Sequence, residues 1–190
     1  MLFDIIKKNR SYRRFYENHK IEYKILKELV ELARLSPSAR NLQPLKFYLS
    51  CTKDINEKIF PTLGWAGYLK NWDGPKEGER PSAYIIILAD ISISKNVKWD
   101  DGIAAQSILL GAVEKELGGC MIGSVKRDEL KSKLNIPGYF EILLVIALGK
   151  PKEKVVIDTI SENGSIYYWR DKEQVHHVPK RKLDELIVRF

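Results

Sequence analysis

The sequence has only two cysteines and no hydrophobic segment long enough to cross a membrane. Cys51 and Cys120 lie far apart and form no CxxC pair, so neither a disulfide framework nor a zinc site is indicated. The longest apolar runs, AYIIILA and ILLVIAL, have seven residues each, whereas a membrane-spanning helix needs about 20. The first residues, MLFDIIKKNR, place the basic side chains after the apolar ones, the reverse of a secretory signal. These absences predict a reducing, cytoplasmic setting.

Several catalytic signatures are also missing. The sequence has no G-x-G-x-x-G, and GGCMIGS at 118–124 lacks the lysine of a P-loop. HExxH and G-x-S-x-G do not occur. The adjacent His176 and His177 would diverge in either a helix or a strand, which favours a surface or packing role over a metal site. No side chain is therefore assigned as a catalytic acid or base, and an enzyme with this sequence would rely on a bound cofactor.

The net charge of +7 does not by itself indicate a nucleic-acid-binding protein. The 32 basic residues are interleaved with 25 acidic ones, and no helix-turn-helix, zinc-finger or RNP motif accompanies them. Two short basic clusters stand out, RSYRRF at 10–15 and PKRK at 179–182. Clusters of this size are suited to a single small phosphate.

The 190 residues show no repeat and no dividing linker, which predicts a single domain over 1–190. Hydrophobic periodicity and turn residues predict helices at 2–9, 22–35, 55–60, 102–117, 126–134 and 183–188, and strands at 46–51, 83–89 and 142–148. The connection at 62–81 is unusually long, which is typical of a functional element. The tail, with its IYYWR segment, is expected to be too exposed for a monomeric core and to pack on a partner.

Four segments resemble, in their order along the chain, motifs of the FMN-dependent nitroreductases: NRSYRRF, SPSARNLQP, GGCMIGS and VPKRKL. The resemblance covers essentially the whole chain, and the tail is similar to that of a bacterial subgroup of this family. It implies an α+β fold with a mainly antiparallel central sheet flanked by helices. It also implies an obligate homodimer with two FMN sites at the interface, with the C-terminal arm of each subunit packing on its partner and the long apolar helix at the centre.

The resemblance further implies which residues hold the FMN phosphate. The R-S-x-R segment is matched by Arg10, Ser11 and Arg13, and a late basic pair is matched by Lys180 and Arg181. Guanidinium groups suit phosphate oxygens, and charge-assisted hydrogen bonds are strong. The alternative is that the first cluster is simply the solvated end of a helix.

A second family motif implies contacts to the flavin ring and its ribityl chain from the other subunit. Pro37, Ser38 and Asn41 match it, whereas Ala39 replaces the commoner second serine and puts one contact in doubt. Neutral donors and acceptors suit the pyrimidine edge and sugar hydroxyls. Gln43 either joins these contacts or braces the loop, and bracing is the preferred interpretation.

The third motif implies that the backbone of Ile122 and Gly123 passes along the isoalloxazine. A glycine cap at 118–119, ending the preceding helix before a strand, is compatible with that role. The implied reaction is ping-pong: NAD(P)H reduces FMN and leaves, and a nitroaromatic, quinone or related acceptor then takes the electrons. The alternative is a flavin-binding, flavin-processing or dehalogenating protein of the same fold without NAD(P)H turnover.

The aromatic residues of the 62–81 connection bear on that choice. Trp65, Tyr68 and Trp72 are spaced three and four apart, so a short helical turn would place them on one face. Such a face would cover either the exposed ring of the flavin, as a lid, or the partner subunit. The sequence leaves both possibilities open, with the lid preferred.

Overall fold

An antiparallel sheet with helices on both faces forms the centre of the fold. The computed structural model describes residues 1–161 and 164–190. The helices are α1 (Leu2–Lys8), α2 (Tyr23–Arg34), α3 (Lys53–Ile59), α4 (Asp100–Glu114) and α5 (Arg127–Leu134). The strands are β1 (Leu45–Ser50), β2 (Ala83–Asp90), β3 (Gly118–Ile122), β4 (Phe140–Gly149), β5 (Val155–Thr159), β6 (Trp169–Arg170) and β7 (His176–Lys180). The central sheet has the order β1-β2-β4-β3, and a smaller sheet has the order β5-β7-β6.

The strand β2 is apolar along its length because both faces of the central sheet are covered. Ile85 and Ile87 pack in a cluster with α2 and α4. The alternate residues Tyr84, Ile86 and Leu88 pack in a second cluster with α3 and α5. A strand that is buried on both faces reads as a continuous hydrophobic run instead of alternating with polar residues.

The helices α2 and α4 pack against each other on one face of the sheet. The amphipathic α2 buries Leu26, Leu29 and Ala33. At Gly111 on α4, a Cβ atom would lie 2.2 Å from Cδ1 of Leu32. A side chain at position 111 would collide with the end of the Leu32 side chain. Glycine at this position therefore favours close packing of the two helices.

The predicted fold class is confirmed, with differences at the ends of elements. The predicted strands correspond to β1, β2 and β4, and the first five predicted helices correspond to α1–α5. The helix predicted at 183–188 is wrong, since Leu183–Glu185 forms only a 3₁₀ turn. The glycine cap predicted at 118–119 is also wrong: α4 ends at Glu114, Glu116 takes the left-handed turn with φ 56°, and Gly118 already begins β3.

Much of the tail is ordered against its own chain. The strands β5 and β7 pair in parallel and β6 joins β7 in antiparallel orientation, a sheet that the sequence analysis did not predict. On β6, Arg170 contacts Glu153, and on β7, His176 contacts Arg13. Residues 181–190 belong to none of these strands, and every one of them is exposed.

Among the helices of the described residues, none is both long and apolar enough to cross a membrane.

Candidate functional site

A cavity of about 300 Å³ brings together the two basic clusters of the sequence. We call it the Arg13 cavity. Its walls come from the segment after α1, from α4, from β3 and from the tail. Its lining residues are Asn9, Arg10, Ser11, Arg13, Gln106, Leu109, Met121, Tyr168, His176, Val178 and Lys180. Four of the residues predicted to hold a phosphate therefore line the same cavity. One of them, Lys180, lies nearly 170 positions after the others in the sequence.

The segment after α1 reaches the cavity because it runs beside the edge strand β3. Ser11 forms a parallel bridge with Gly119, and the backbone N–H of Tyr12 donates to the Gly119 carbonyl oxygen at 3.0 Å. A Cβ atom on Gly118 would lie 2.5 Å from Cδ2 of Tyr12. The paired glycines of β3 are therefore required for this close approach.

The cations of the Arg13 cavity have no carboxylate partner in the described part of the chain. None lies within 4.0 Å of the charged nitrogens of Arg10, Arg13 or Lys180. Arg10 donates from Nη2 to the Ile6 carbonyl oxygen at 2.9 Å, while its Nε is buried without a partner. Arg13 lies 5.0 Å from the ring centre of Tyr168. An unpaired group of cations with an unused buried donor is an arrangement that an anion would satisfy.

The neighbouring Arg14 shows what a structural arginine looks like in this fold. Its Nε and Nη2 each donate to a carboxylate oxygen of Glu79 at 2.7 Å. The hydrogen bonds and charge of Arg14 lower the pKa of Glu79 to about 2. The guanidinium of Arg14 is thus tied to a buried carboxylate. It is not available to a ligand.

The position of Arg13 depends on a buried carboxylate. One oxygen of Glu153 accepts the backbone N–H groups of Arg13 and Arg14, and the other accepts Nη2 of Arg170 at 2.9 Å. The Glu153 side chain is 0% exposed. Glu153 therefore joins the phosphate-binding candidates to the tail, and the sequence analysis gave no sign of it.

His176 forms another part of the wall and is kept neutral. It is 0% exposed, and its Nε2 lies 3.3 Å from Nη1 of Arg13, so this nitrogen accepts and the proton is placed on Nδ1. Burial, followed by the positive charges of Arg13 and Arg170, lowers the pKa of His176 to about 4. Its packing role agrees with the sequence interpretation. Its position in the wall was not foreseen.

The neighbouring His177 has the opposite environment. It stacks on Trp169, with ring centres 4.1 Å apart, and contacts Asp158 at 2.9 Å and Asp171 at 3.3 Å. Burial works against its charged form, but the hydrogen bonds and charges of the two carboxylates outweigh it and raise the pKa of His177. Adjacent strand residues thus point to opposite surroundings, as expected from their spacing.

Because His176 is neutral in the folded chain, we expect the folding stability to fall at low pH. Its pKa rises from about 4 in the folded chain to its ordinary value of 6.5 on unfolding. Between these values the unfolded chain binds more protons, so folding stability falls as the pH falls. The contribution lost between about pH 6.5 and about pH 5 is roughly 1.5 kcal/mol. Urea unfolding of the parent and of His176→Gln at both pH values measures it, and an equal pH slope in the two proteins would contradict it.

The second predicted group lies elsewhere in the chain. Pro37 and Ser38 line a different cavity of about 460 Å³, and Asn41 is exposed beside it. Within one chain these residues do not meet Arg10 or Arg13. A site that used both groups would therefore have to combine two chains.

Hydrogen bonds already fix the loop that carries this second group. Ser38 Oγ donates to Asp100 at 2.5 Å and accepts the Gln43 backbone N–H at 2.9 Å. The Ala39 N–H donates to the same carboxylate at 2.9 Å. Gln43 Nε2 donates to the Asn41 side-chain oxygen at 3.1 Å, so Gln43 braces the loop. Ser38 retains one free lone pair, and only as an acceptor could it contact a ligand.

Three further predicted residues lie outside the Arg13 cavity. Ile122 is 4% exposed and packs in the core. The Gly123 carbonyl oxygen accepts Nη2 of Arg127 at 3.2 Å. Arg181 is exposed, with Nη1 3.8 Å from Glu185. In this chain the lining residue from β3 is Met121, and any ligand contact from the next two residues would be through the backbone.

The aromatic residues of 62–81 do not form the predicted helical turn. Trp65 packs on Phe60, with ring centres 5.8 Å apart. Tyr68 packs on Tyr168 at 4.9 Å, and Trp72 lies 4.3 Å under the guanidinium of Arg170. The connection therefore holds the chain's own tail, which neither the lid nor the partner-packing interpretation anticipated.

Across 1–161 and 164–190, no three histidine, cysteine, aspartate or glutamate side chains are grouped as a metal site requires.

Comparisons with known proteins agree on one family. A sequence profile described as "Nitroreductase family" matches residues 6–67 and 79–150. A provisionally named NADH dehydrogenase/NAD(P)H nitroreductase of Archaeoglobus fulgidus is 28% identical over 149 residues, covering 74% of this chain and 80% of that protein. A structure described as an FMN-dependent nitroreductase from Clostridium difficile aligns with a TM-score of 0.64 at 23% identity, covering 99% of this chain and 98% of the other. A nitroreductase family protein from Streptococcus pneumoniae aligns with a TM-score of 0.71 at 16% identity over 100% of both chains.

Proposed function

This chain belongs to the nitroreductase family and is an oxidoreductase, and we propose that it uses FMN to oxidise NAD(P)H and reduce small acceptors such as nitroaromatics or quinones. The proposal includes a homodimer in which residues 1–190 form one FMN-binding domain per subunit. The provisional names of two relatives support NAD(P)H as the donor. The name of the Clostridium difficile protein supports FMN.

One observation supports the proposal above the others: Arg10, Arg13 and Lys180 share a cavity without any carboxylate partner among the described residues. The buried, unused Nε of Arg10 shows that the cavity lacks an acceptor. A terminal phosphate carries enough oxygens and charge to satisfy all three cations. The residues present thus fit the phosphate end of FMN.

When bound, FMN would accept a hydride from NAD(P)H and deliver the electrons to the acceptor in a separate half-reaction. The chain's own residues contribute binding and orientation. Arg10, Arg13, Ser11 and Lys180 would hold the phosphate, and Arg181 would join them if the tail shifts. Tyr168 and His176 contact Arg13 without supplying a negative charge to it.

The remaining contacts would come from the backbone and from the second subunit. The backbone at Ile122 and Gly123 would run along the ring. Pro37, Ser38 and Asn41 of the other subunit would contact the ring and sugar, with Ser38 restricted to accepting. The loop is rigid because Asp100 and Gln43 hold it, so these contacts require little rearrangement on binding.

Replacing Arg13 by alanine is expected to weaken FMN binding by about 1.5–3 kcal/mol, or roughly tenfold to a hundredfold, the usual scale for a charged hydrogen bond. The same substitution should weaken the binding of riboflavin, which lacks the phosphate, much less. Titration of flavin-free protein with both flavins measures the difference, and Arg13→Lys should retain part of the preference for FMN.

The matched control removes an equal charge at a distance. Lys58 is exposed on α3 and does not line the Arg13 cavity, so Lys58→Ala should leave both affinities unchanged. If Arg13→Ala binds FMN as tightly as the parent, Arg13 does not hold the phosphate.

The proposed activity is tested by anaerobic stopped-flow reduction of the flavin-loaded protein with NADH and with NADPH. Bleaching of the flavin absorbance by at least one nucleotide, followed by reoxidation with a quinone or nitroaromatic, is the expected result. Flavin that stays oxidised with both nucleotides would contradict the proposal.

A further inference from the structure

A third cavity lies apart from the two already described. It encloses about 560 Å³ and shares no lining residue with the Arg13 cavity. Its walls come from the segment before α2, from the end of β1, from α3 and from the start of β2. We call it the Arg80 cavity. Nothing in the proposed oxidoreductase site uses it.

Two polar side chains of the Arg80 cavity have atoms without a partner. Arg80 Nε and Ser82 Oγ are both buried and form no hydrogen bond. Among residues 1–161 and 164–190, no carboxylate lies within 4.0 Å of the Arg80 guanidinium nitrogens. The guanidinium is held 4.6 Å from the ring centre of Phe60. A fixed guanidinium with unused donors is costly unless an acceptor is supplied.

Glu17, an acid that also lines the cavity, does not fill this role. The carboxylate of Glu17 accepts the backbone N–H groups of Gly78 and Arg80. It therefore fixes the backbone at Arg80 and leaves the guanidinium free. Among the described residues Arg80 Nε and Ser82 Oγ thus remain without a partner, which a bound ligand would supply.

The other walls limit what that ligand can be. Ile21, Phe60, Pro81 and Tyr84 supply an apolar surface. At the rim, the cations Lys20 and Lys53 are matched by the acids Glu22 and Glu57. With Glu17 and Arg80 included, three acids and three cations line the cavity, so the lining carries no net charge. A cavity without excess positive charge suits a ligand with a single negative charge better than a phosphate dianion.

We propose that the Arg80 cavity is a second ligand site, which binds a small monocarboxylate with a compact apolar body. The carboxylate accepts from Arg80 in the paired geometry that guanidinium favours, and Ser82 donates to it. The body lies against Phe60 and Ile21. The site is independent of FMN binding.

The test uses cyclohexanecarboxylate, a non-planar acid, and its neutral amide as the matched ligand. Calorimetric titration of the flavin-loaded protein should show saturable binding of the acid and at least about tenfold weaker binding of the amide. Arg80→Gln should weaken binding of the acid at least about tenfold, whereas Lys53→Gln at the rim should change the affinity for the acid less than about twofold. No saturable binding, or equal binding to Arg80→Gln, overturns the proposal.

The two cysteines locate the bound acid. Cys51 lines the Arg80 cavity and is partly exposed, whereas Cys120 is 3% exposed in the core. Saturating cyclohexanecarboxylate should slow alkylation of Cys51 by iodoacetamide in the parent but not in Arg80→Gln, with Cys120 as the internal reference. Binding without protection of Cys51 would place the acid elsewhere and would also overturn the proposal. Flavin content stays constant throughout, so the outcome is separate from that of the Arg13 experiment.

Discussion

Replacing Glu153 by alanine is expected to lower the free energy of unfolding by about 3–5 kcal/mol, because it leaves buried groups of the tail and the first segment without their shared acceptor. The change removes the partner of Arg170 and of the backbone N–H groups of Arg13 and Arg14. The Glu153 side chain is 0% exposed, so water cannot easily replace it. Urea unfolding of flavin-free protein measures the loss.

A surface glutamate provides the comparison. Glu129 pairs with Lys133 at 2.7 Å but is 40% exposed, so Glu129→Ala should cost far less stability than Glu153→Ala. Glu153→Gln, which keeps one of the two acceptor oxygens, should fall between the two. A Glu153→Ala protein no less stable than Glu129→Ala would show that the buried contacts contribute little.

A mixed dimer of two defective subunits is expected to recover one intact flavin site. One subunit carries Arg10→Ala and Arg13→Ala, and the other carries Asn41→Gly. If each site combines the Arg13 cavity of one chain with the loop of the other, then one of the two sites contains both defects and the other contains none. About half of the sites should then bind FMN with the parent affinity, whereas a homodimer of either mutant should have no such site. Differently tagged subunits and flavin titration measure this.

Glycine is the appropriate replacement in that experiment because Asn41 has φ 54°. Glycine adopts this conformation freely, so Asn41→Gly removes the amide without straining the loop. The reciprocal control places all three changes in one subunit and pairs it with the parent. A site shared between chains then gives no intact site, whereas a site within one chain gives one. Recovery in the control instead of the first mixture would overturn the two-chain arrangement.

The sequence was sufficient for three of the four strands of the central sheet and for its helices, because their signals are local. Buried β2 has a continuous apolar run, and α2 has apolar residues at helical spacing. The parallel pairing of β5 with β7 could not be read in this way, because the two strands are short and partly exposed and their partnership depends on residues far apart.

The candidate site was predicted only in part for a similar reason. Arg10, Arg13 and Lys180 carry charge in recognisable clusters, and the structure brings them together. Glu153 and His176 act through burial, which has no local signal in a polar stretch of sequence. Tyr168 could have been suspected from the aromatic run IYYWR, but the run does not show which of its rings would meet Arg13.

The segment after α1 has one more consequence, for how the protein avoids self-association through strands. The strand β3 is at an edge of the central sheet, and an uncovered edge of that kind offers unpaired backbone groups to other chains. Ser11 and Tyr12 lie along this edge and occupy the Gly119 backbone. The same segment that brings cations to the cavity therefore also covers part of this edge, and a chain shortened past Tyr12 would leave the Gly119 backbone open to strand addition.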